Sequence, residues 1–194
     1  MAMSVHQEGY LPLDAQVIRY RVACVPNEND EDESTQHSAN HWFFYAIVFN
    51  NGDALQAVRF DLRGRNSDTG TGCYLHQKAF GFPLTDKFIV YRDIPAAGGA
   101  CLMSFIADLE WSGLLKFRFQ CQRGRRHWIL TVFSTLFPKK HFSCDSDLIA
   151  RLRDLMEQLY PDGSRIAKEP VRAGLFDLTD QGLGLPWSMR EERG

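Results

Sequence analysis

His41 opens the strongest apolar run of the chain, His41-Trp42-Phe43-Phe44-Tyr45-Ala46-Ile47-Val48-Phe49. A histidine at a strand end is placed for proton transfer, because its ordinary pKa lies near neutrality and moves readily with its surroundings. The same place also suits a histidine that only hydrogen-bonds a neighbouring strand, so both readings stay open. Asp61 and Arg59 fall on a second run, Leu55–Leu62, whose expected cover obliges each charge to find a partner. Further along, Gly124-Arg125-Arg126-His127-Trp128 begins a helix with cations at the end where free N–H groups and the macrodipole already carry positive charge. That arrangement points to an anion at the helix mouth, either a carboxylate of this chain or a bound ligand. Together these residues suggest acid–base chemistry. His41, Arg125 and Asp61 are the candidate catalytic groups, and Phe43, Tyr45, Arg59, Arg126, His127 and Trp128 the candidate lining of a pocket for a small organic molecule.

Other chemistries lack their motifs. The histidines at 6, 37, 41, 76, 127 and 141 form no H-E-x-x-H pattern, and there is no G-x-S-x-G, P-loop or G-x-G-x-x-G. The cysteines at 24, 73, 101, 121 and 144 include no C-x-x-C pair, so neither a metal site nor a disulfide framework is indicated. The expectation is an activity without metal or cofactor, and five free thiols, most of them buried.

The elements that must position these residues can be read from periodicity. Gln16–Val25 alternates apolar and polar residues as a strand with one exposed face. The run from His41 to Phe49 is apolar without interruption, as in a central strand covered on both sides. Asn50-Asn51-Gly52-Asp53 signals a hairpin turn, with Leu55–Leu62 returning. A turn centred on Asn51-Gly52 would set His41 opposite Leu62 and put Asp61 and Arg59 on the face of Trp42 and Phe44; a loop one residue longer reverses that. Cys73–Phe80, Phe88–Asp93 and Leu114–Gln122 read as further strands. Ala100–Trp111 and Asp145–Tyr160 are amphipathic helices, and residues 125–137 form a helix apolar on nearly every side. The predicted fold is α+β: an antiparallel sheet of five or six strands packed against that buried central helix, with the hairpin of residues 41–62 in its middle.

With 194 residues, 44% of them hydrophobic and 12% aromatic, the chain reads as a single globular domain spanning 1–194. An acidic, mobile loop is expected at 27–40, and an irregular tail from about residue 164 with Arg190–Gly194 frayed. The net charge of -2 and the absence of any nucleic-acid-binding motif argue against a nucleic-acid partner. No stretch is long and apolar enough for a membrane span, and the first ten residues lack the pattern of a secretion signal, so a soluble cytoplasmic protein is expected. The expected partner is a small-molecule substrate, with assembly into a homodimer left open.

His41-Trp42 in a strand, Val58-Arg59-Phe60-Asp61-Leu62 in the next, and Gly124-Arg125-Arg126-His127-Trp128 at a helix start resemble an uncharacterised group of small fungal proteins. In that group the last motif reads Gly-Cys-Arg-aromatic-Trp, and many members sit among secondary-metabolism genes. The similarity runs in order over residues 16–160. The order of elements also resembles a circularly permuted papain-like fold, in which a strand histidine serves a cysteine at a later helix start. Arg125 stands where that cysteine would be, and Cys121 lies four residues earlier on a different element. The resemblance implies a cofactor-free enzyme of natural-product biosynthesis that cyclises, isomerises or dehydrates its substrate. A thiol hydrolase and a non-catalytic small-molecule-binding protein are the alternatives.

Overall fold

The structure, a computed structural model, describes residues 4–8, 10–26, 40–49, 55–64, 73–84, 87–118, 124–143, 147–159, 167–168, 171 and 175–176. The acidic loop, the turn after Phe49, Cys121, Cys144 and the end of the tail lie outside the described residues.

Six strands form one mixed sheet: β1 (Ser4–Glu8), β2 (Gln16–Pro26), β3 (Asn40–Phe49), β4 (Leu55–Gly64), β5 (Cys73–Gly81) and β6 (Val90–Pro95), in the order β1-β5-β4-β3-β2-β6. With the helices that follow, this is an α+β architecture. The sheet is not purely antiparallel, because β1 runs parallel to β5, with Ser4 opposite Tyr74 and Glu8 opposite Lys78. The other pairings within it are antiparallel. Ser-Val-His-Gln-Glu is too polar to announce a strand, and its partner lies more than sixty residues away, so local pattern could not reveal it. β3 and β4 lie at the centre. Every residue of β3 from Trp42 to Val48 is buried, since side chains of both parities meet cover.

The hairpin register differs by one residue from that of a two-residue turn. Phe44 lies opposite Phe60 and Tyr45 opposite Arg59, and the connection is the odd-numbered stretch 50–54. Because side chains alternate across a strand, that slip moves Arg59 and Asp61 onto the face of His41, Phe43 and Tyr45.

Three helices follow: α1 (Leu102–Trp111), α2 (Arg125–Leu136, continued by a 3-10 turn at Phe137–Lys139) and α3 (Leu148–Met156). Gly124 enters α2 at φ 132°, a backbone region that favours glycine. Phe44 joins the sheet to this layer. Its ring stacks on Phe60 at 4.9 Å and on Trp128 at 5.7 Å, and meets the edges of Phe105 and Phe133 at 6.0 and 5.5 Å. Around it the face of Tyr20, Val22, Trp42, Val58, Leu62 and Leu75 forms the larger core with Leu109, Val132, Leu136 and Leu152. A smaller cluster, Ala23, Phe43, Tyr45, Ile47 and Ala57, occupies the opposite face, with Phe80, Phe82, Leu84 and Phe88 against it. Asp108 of α1 accepts from Lys139 at 2.6 Å and pairs with His141 at 2.7 Å, tying the segment after α2 back to α1.

Two predicted elements are shorter than their patterns. The strand expected over 114–122 starts late, at Phe117 in β7 (Phe117–Arg118), because Leu114 is drawn into a turn bonded to Leu109 and its carbonyl accepts Trp128 Nε1–H at 2.9 Å; residues 119–122 lie outside the described residues. The helix expected over 145–160 ends at Met156, and Gln158–Leu159 forms β8. β8 pairs with β9 (Ala167–Lys168), and β7 pairs with β10 (Leu175–Phe176), so the tail carries short strands that its broken sequence hid. Among the described residues, no helix is long and apolar enough to cross a membrane.

The packing around Phe44 makes a direct prediction. Phe44→Ala should lower unfolding free energy by about 3–5 kcal/mol, whereas Trp111→Ala, on a side chain 79% exposed, should change it by no more than about 0.5 kcal/mol. Urea denaturation of the two variants measures both; equal losses would contradict the placement of the core.

Candidate active site

The site grows from the point where β3 and β4 stop pairing. Both strands continue, β3 back to Asn40 and β4 on to Gly64, but their ladder ends at Phe44 opposite Phe60. Beyond it, side chains join the two strands. His41 Nε2 lies 2.8 Å from Asp61 Oδ1, and Asp61 Oδ2 accepts from Arg59 Nη2 and from Arg63 Nε, each at 3.0 Å. Asp61 is completely buried, while His41 keeps 16% of its side chain exposed. A charge so placed is tolerable only with its lone pairs filled, and three donors converge on it.

The electrostatics follow from that burial. Loss of water alone would raise the Asp61 pKa; the His41 hydrogen bond, the charges of His41 and Arg59 and the Arg63 hydrogen bond outweigh it and hold the carboxyl well below the usual carboxylate range. An ionised carboxylate only accepts hydrogen bonds, so neutral His41 must carry its proton on Nε2. Its other nitrogen, Nδ1, is then a lone-pair acceptor, and it has no partner among the described residues. This is the arrangement in which a carboxylate orients an imidazole as a base and stabilises it once protonated. The Arg59 guanidinium lies 3.7 Å over the Phe43 ring, which fixes its plane, and Phe43 also touches His41 with ring centroids 5.6 Å apart.

Further charged groups continue across the same face. His76 stands opposite Asp61 in register, lies 3.1 Å from Glu8, and shares that carboxylate with Lys78. Burial first, and then the Arg63 charge, lower the His76 pKa. On the other side Arg21 grips Asp93 through two bonds of 2.6 and 2.7 Å.

The structure therefore brings together His41, Asp61, Arg59, Phe43 and Tyr45, the last two as buried walls beneath the charges. It places the remaining candidates in the helical layer. Trp128 is a core residue against Phe44, on the opposite side of the sheet from His41. His127 lies by Phe117, with ring centroids 6.4 Å apart. Arg126 Nη1 donates to Met156 O at 2.7 Å, a carbonyl at the negative end of the α3 dipole. Arg125 Nε donates to Leu62 O at 2.8 Å, beside Asp61 on β4. Each of these two bonds ends on a main-chain carbonyl. Arg63 was missed as a site residue. Its signal was available in Arg59-x-Asp61-x-Arg63, a period-two pattern that puts all three side chains on one strand face.

No three His, Cys, Asp or Glu side chains converge as a metal ion would require among the described residues. Cys24 and Cys101 are free thiols. Cys24 shares the helix-side face with Trp42, away from His41, and burial pushes its thiol up to about 12.

Because the Asp61 pKa is depressed in the folded chain, its stabilising contribution is fully present above the unfolded carboxylate value of about 4 and is lost as pH falls below it. Asp61→Asn should cost about 3–5 kcal/mol at neutral pH and should remove that acid-dependent part. Denaturant titrations of both proteins between neutral pH and acid check this, and parallel pH profiles would contradict it.

The model of a domain of unknown function, DUF7770, matches residues 20–176, while no curated protein and no solved structure matches the chain. The matched span runs from within β2 to β10 and includes His41, Arg59, Asp61 and Arg63. The chain belongs to the DUF7770 family.

Proposed function

We propose that the chain is a cofactor-independent acid–base enzyme acting on a small organic molecule. His41 transfers the proton, Asp61 orients and charges it, and Arg59 supplies electrostatic stabilisation. The observation that carries this reading is the hydrogen bond from His41 Nε2 to a fully buried, ionised carboxylate, which leaves Nδ1 as the outward base. A sheet does not need such a group for its own stability, since apolar residues of similar shape would hold these strands at least as well. Arg125 serves the site indirectly by fixing the main chain of β4 at Leu62. One base beside a cation suits enolate routes of isomerisation, cyclisation and dehydration alike. The resemblance in motifs extends the proposal to a cytoplasmic enzyme of fungal natural-product biosynthesis.

The thiol-hydrolase reading draws less support. Of the two described thiols, Cys24 is sealed in the core, and Cys101 donates its hydrogen to Leu13 O at 3.6 Å. In a turnover assay established by substrate screening, His41→Ala should lower kcat/KM by about 10²–10⁴-fold, with partial recovery on adding imidazole. Cys24→Ser and Cys101→Ser should keep the wild-type rate. A folded His41→Ala protein with undiminished turnover would overturn the proposal.

A further inference from the structure

We infer that the corner between His41 and Arg59 takes an enolisable carbonyl compound, whose oxygen is held by the guanidinium while its α-hydrogen faces the imidazole. The inference rests on the proposed proton-transfer role of His41 and names the substrate class. Two polar atoms here have no protein partner among the described residues and are not sealed from solvent: the acceptor His41 Nδ1 and the donor Arg59 Nη1. Arg59 spends one N–H on Asp61, its Nε is buried without a partner, and its plane is clamped over Phe43. Two other cations of this face, Arg21 and Lys78, differ. Arg21 is taken up by both oxygens of Asp93, and Lys78 by Glu8.

His41 and Arg59 each bond one oxygen of the same carboxylate, at 2.8 and 3.0 Å, so Asp61 sets the spacing between base and cation. A molecule that satisfies both must present a hydrogen to Nδ1 and an oxygen to Nη1. A C–H group next to a carbonyl does so. The proton passes to Nδ1, the C–H electron pair forms the C=C bond of an enolate, and the carbonyl π pair moves onto oxygen beside the guanidinium. Return of the proton to a different carbon completes an isomerisation. Expulsion of a β-hydroxyl, protonated by the imidazolium, completes a dehydration. Neither course needs an oxidant, a reductant or a second substrate.

Cyclohexanone is a suitable probe. Its α-hydrogens exchange slowly in D2O, and proton NMR follows their loss, with hydrolysis of 4-nitrophenyl acetate measured in parallel. Wild-type protein should accelerate the exchange, His41→Ala should abolish the acceleration, and Arg59→Lys should reduce it about 10²-fold with the circular dichroism spectrum unchanged. As a measurement independent of mutant folding, the enolate of cyclohexane-1,3-dione added to wild-type protein should shift the Arg59 side-chain nitrogen resonances. Exchange at the wild-type rate in folded Arg59→Lys, no exchange in wild type, or no shift with the enolate would each overturn the inference. Ester hydrolysis that depends on His41 without any exchange would overturn it while leaving the acid–base function standing. Loss of His41 dependence in both assays would overturn both.

Discussion

The negative charge of Asp61, buried without any contact with water, is the constraint to which the rest of this sheet answers. In a low-dielectric interior an unpaired carboxylate would carry a desolvation penalty of several kcal/mol, so its neighbours must be donors placed within hydrogen-bonding reach. Arg59 and Arg63 reach it from its own strand because residues two apart share a face. His41 reaches it across the hairpin because the register is odd. The ladder between β3 and β4 ends where these side chains begin, and Arg125 takes the carbonyl of Leu62 from the helix side. One charge thus fixes the tautomer of a histidine and the separation between that histidine and an arginine.

The two faces of the sheet divide the work. The face toward the helices is aromatic and aliphatic, and its stability comes from apolar burial and packing around Phe44, Phe105 and Phe133. The other face has a thin apolar layer built on Phe43 and Tyr45, over which charges run from Asp93 and Arg21 to Glu8 and Lys78. Asp61 is fixed by both: its backbone pairs with His76 of β5, while its side chain lies among the charges. A histidine held by a carboxylate so placed would need little reorganisation when a proton moves, and such preorganisation is where an electrostatic catalyst gains most of its effect.

The strands and helices were legible because their apolar periods are clean: the unbroken run of β3, the alternation of β2, the amphipathic stripe of α3. His41, Asp61 and Arg59 were legible as polar residues in places that demand partners. Their meeting was not. Asn50-Asn51-Gly52 favours a two-residue turn, and only the odd-numbered connection puts Asp61 on the face of His41. β1 escaped notice because its pairing is parallel and distant in sequence. The cations at the start of α2 violate the dipole rule locally, and two of the acceptors they reach are carbonyls of β4 and of the C-terminal turn of α3, which no reading confined to that helix could supply.

Asp61 holds neutral His41 with its proton on Nε2 and leaves Nδ1 as the acceptor. Nitrogen-15 NMR of the imidazole rings, with His41 assigned by its disappearance in His41→Gln, reads the tautomer directly. In neutral His41 the Nε2 resonance should be that of a protonated nitrogen and Nδ1 that of an unprotonated one. A neutral ring protonated on Nδ1 would contradict it.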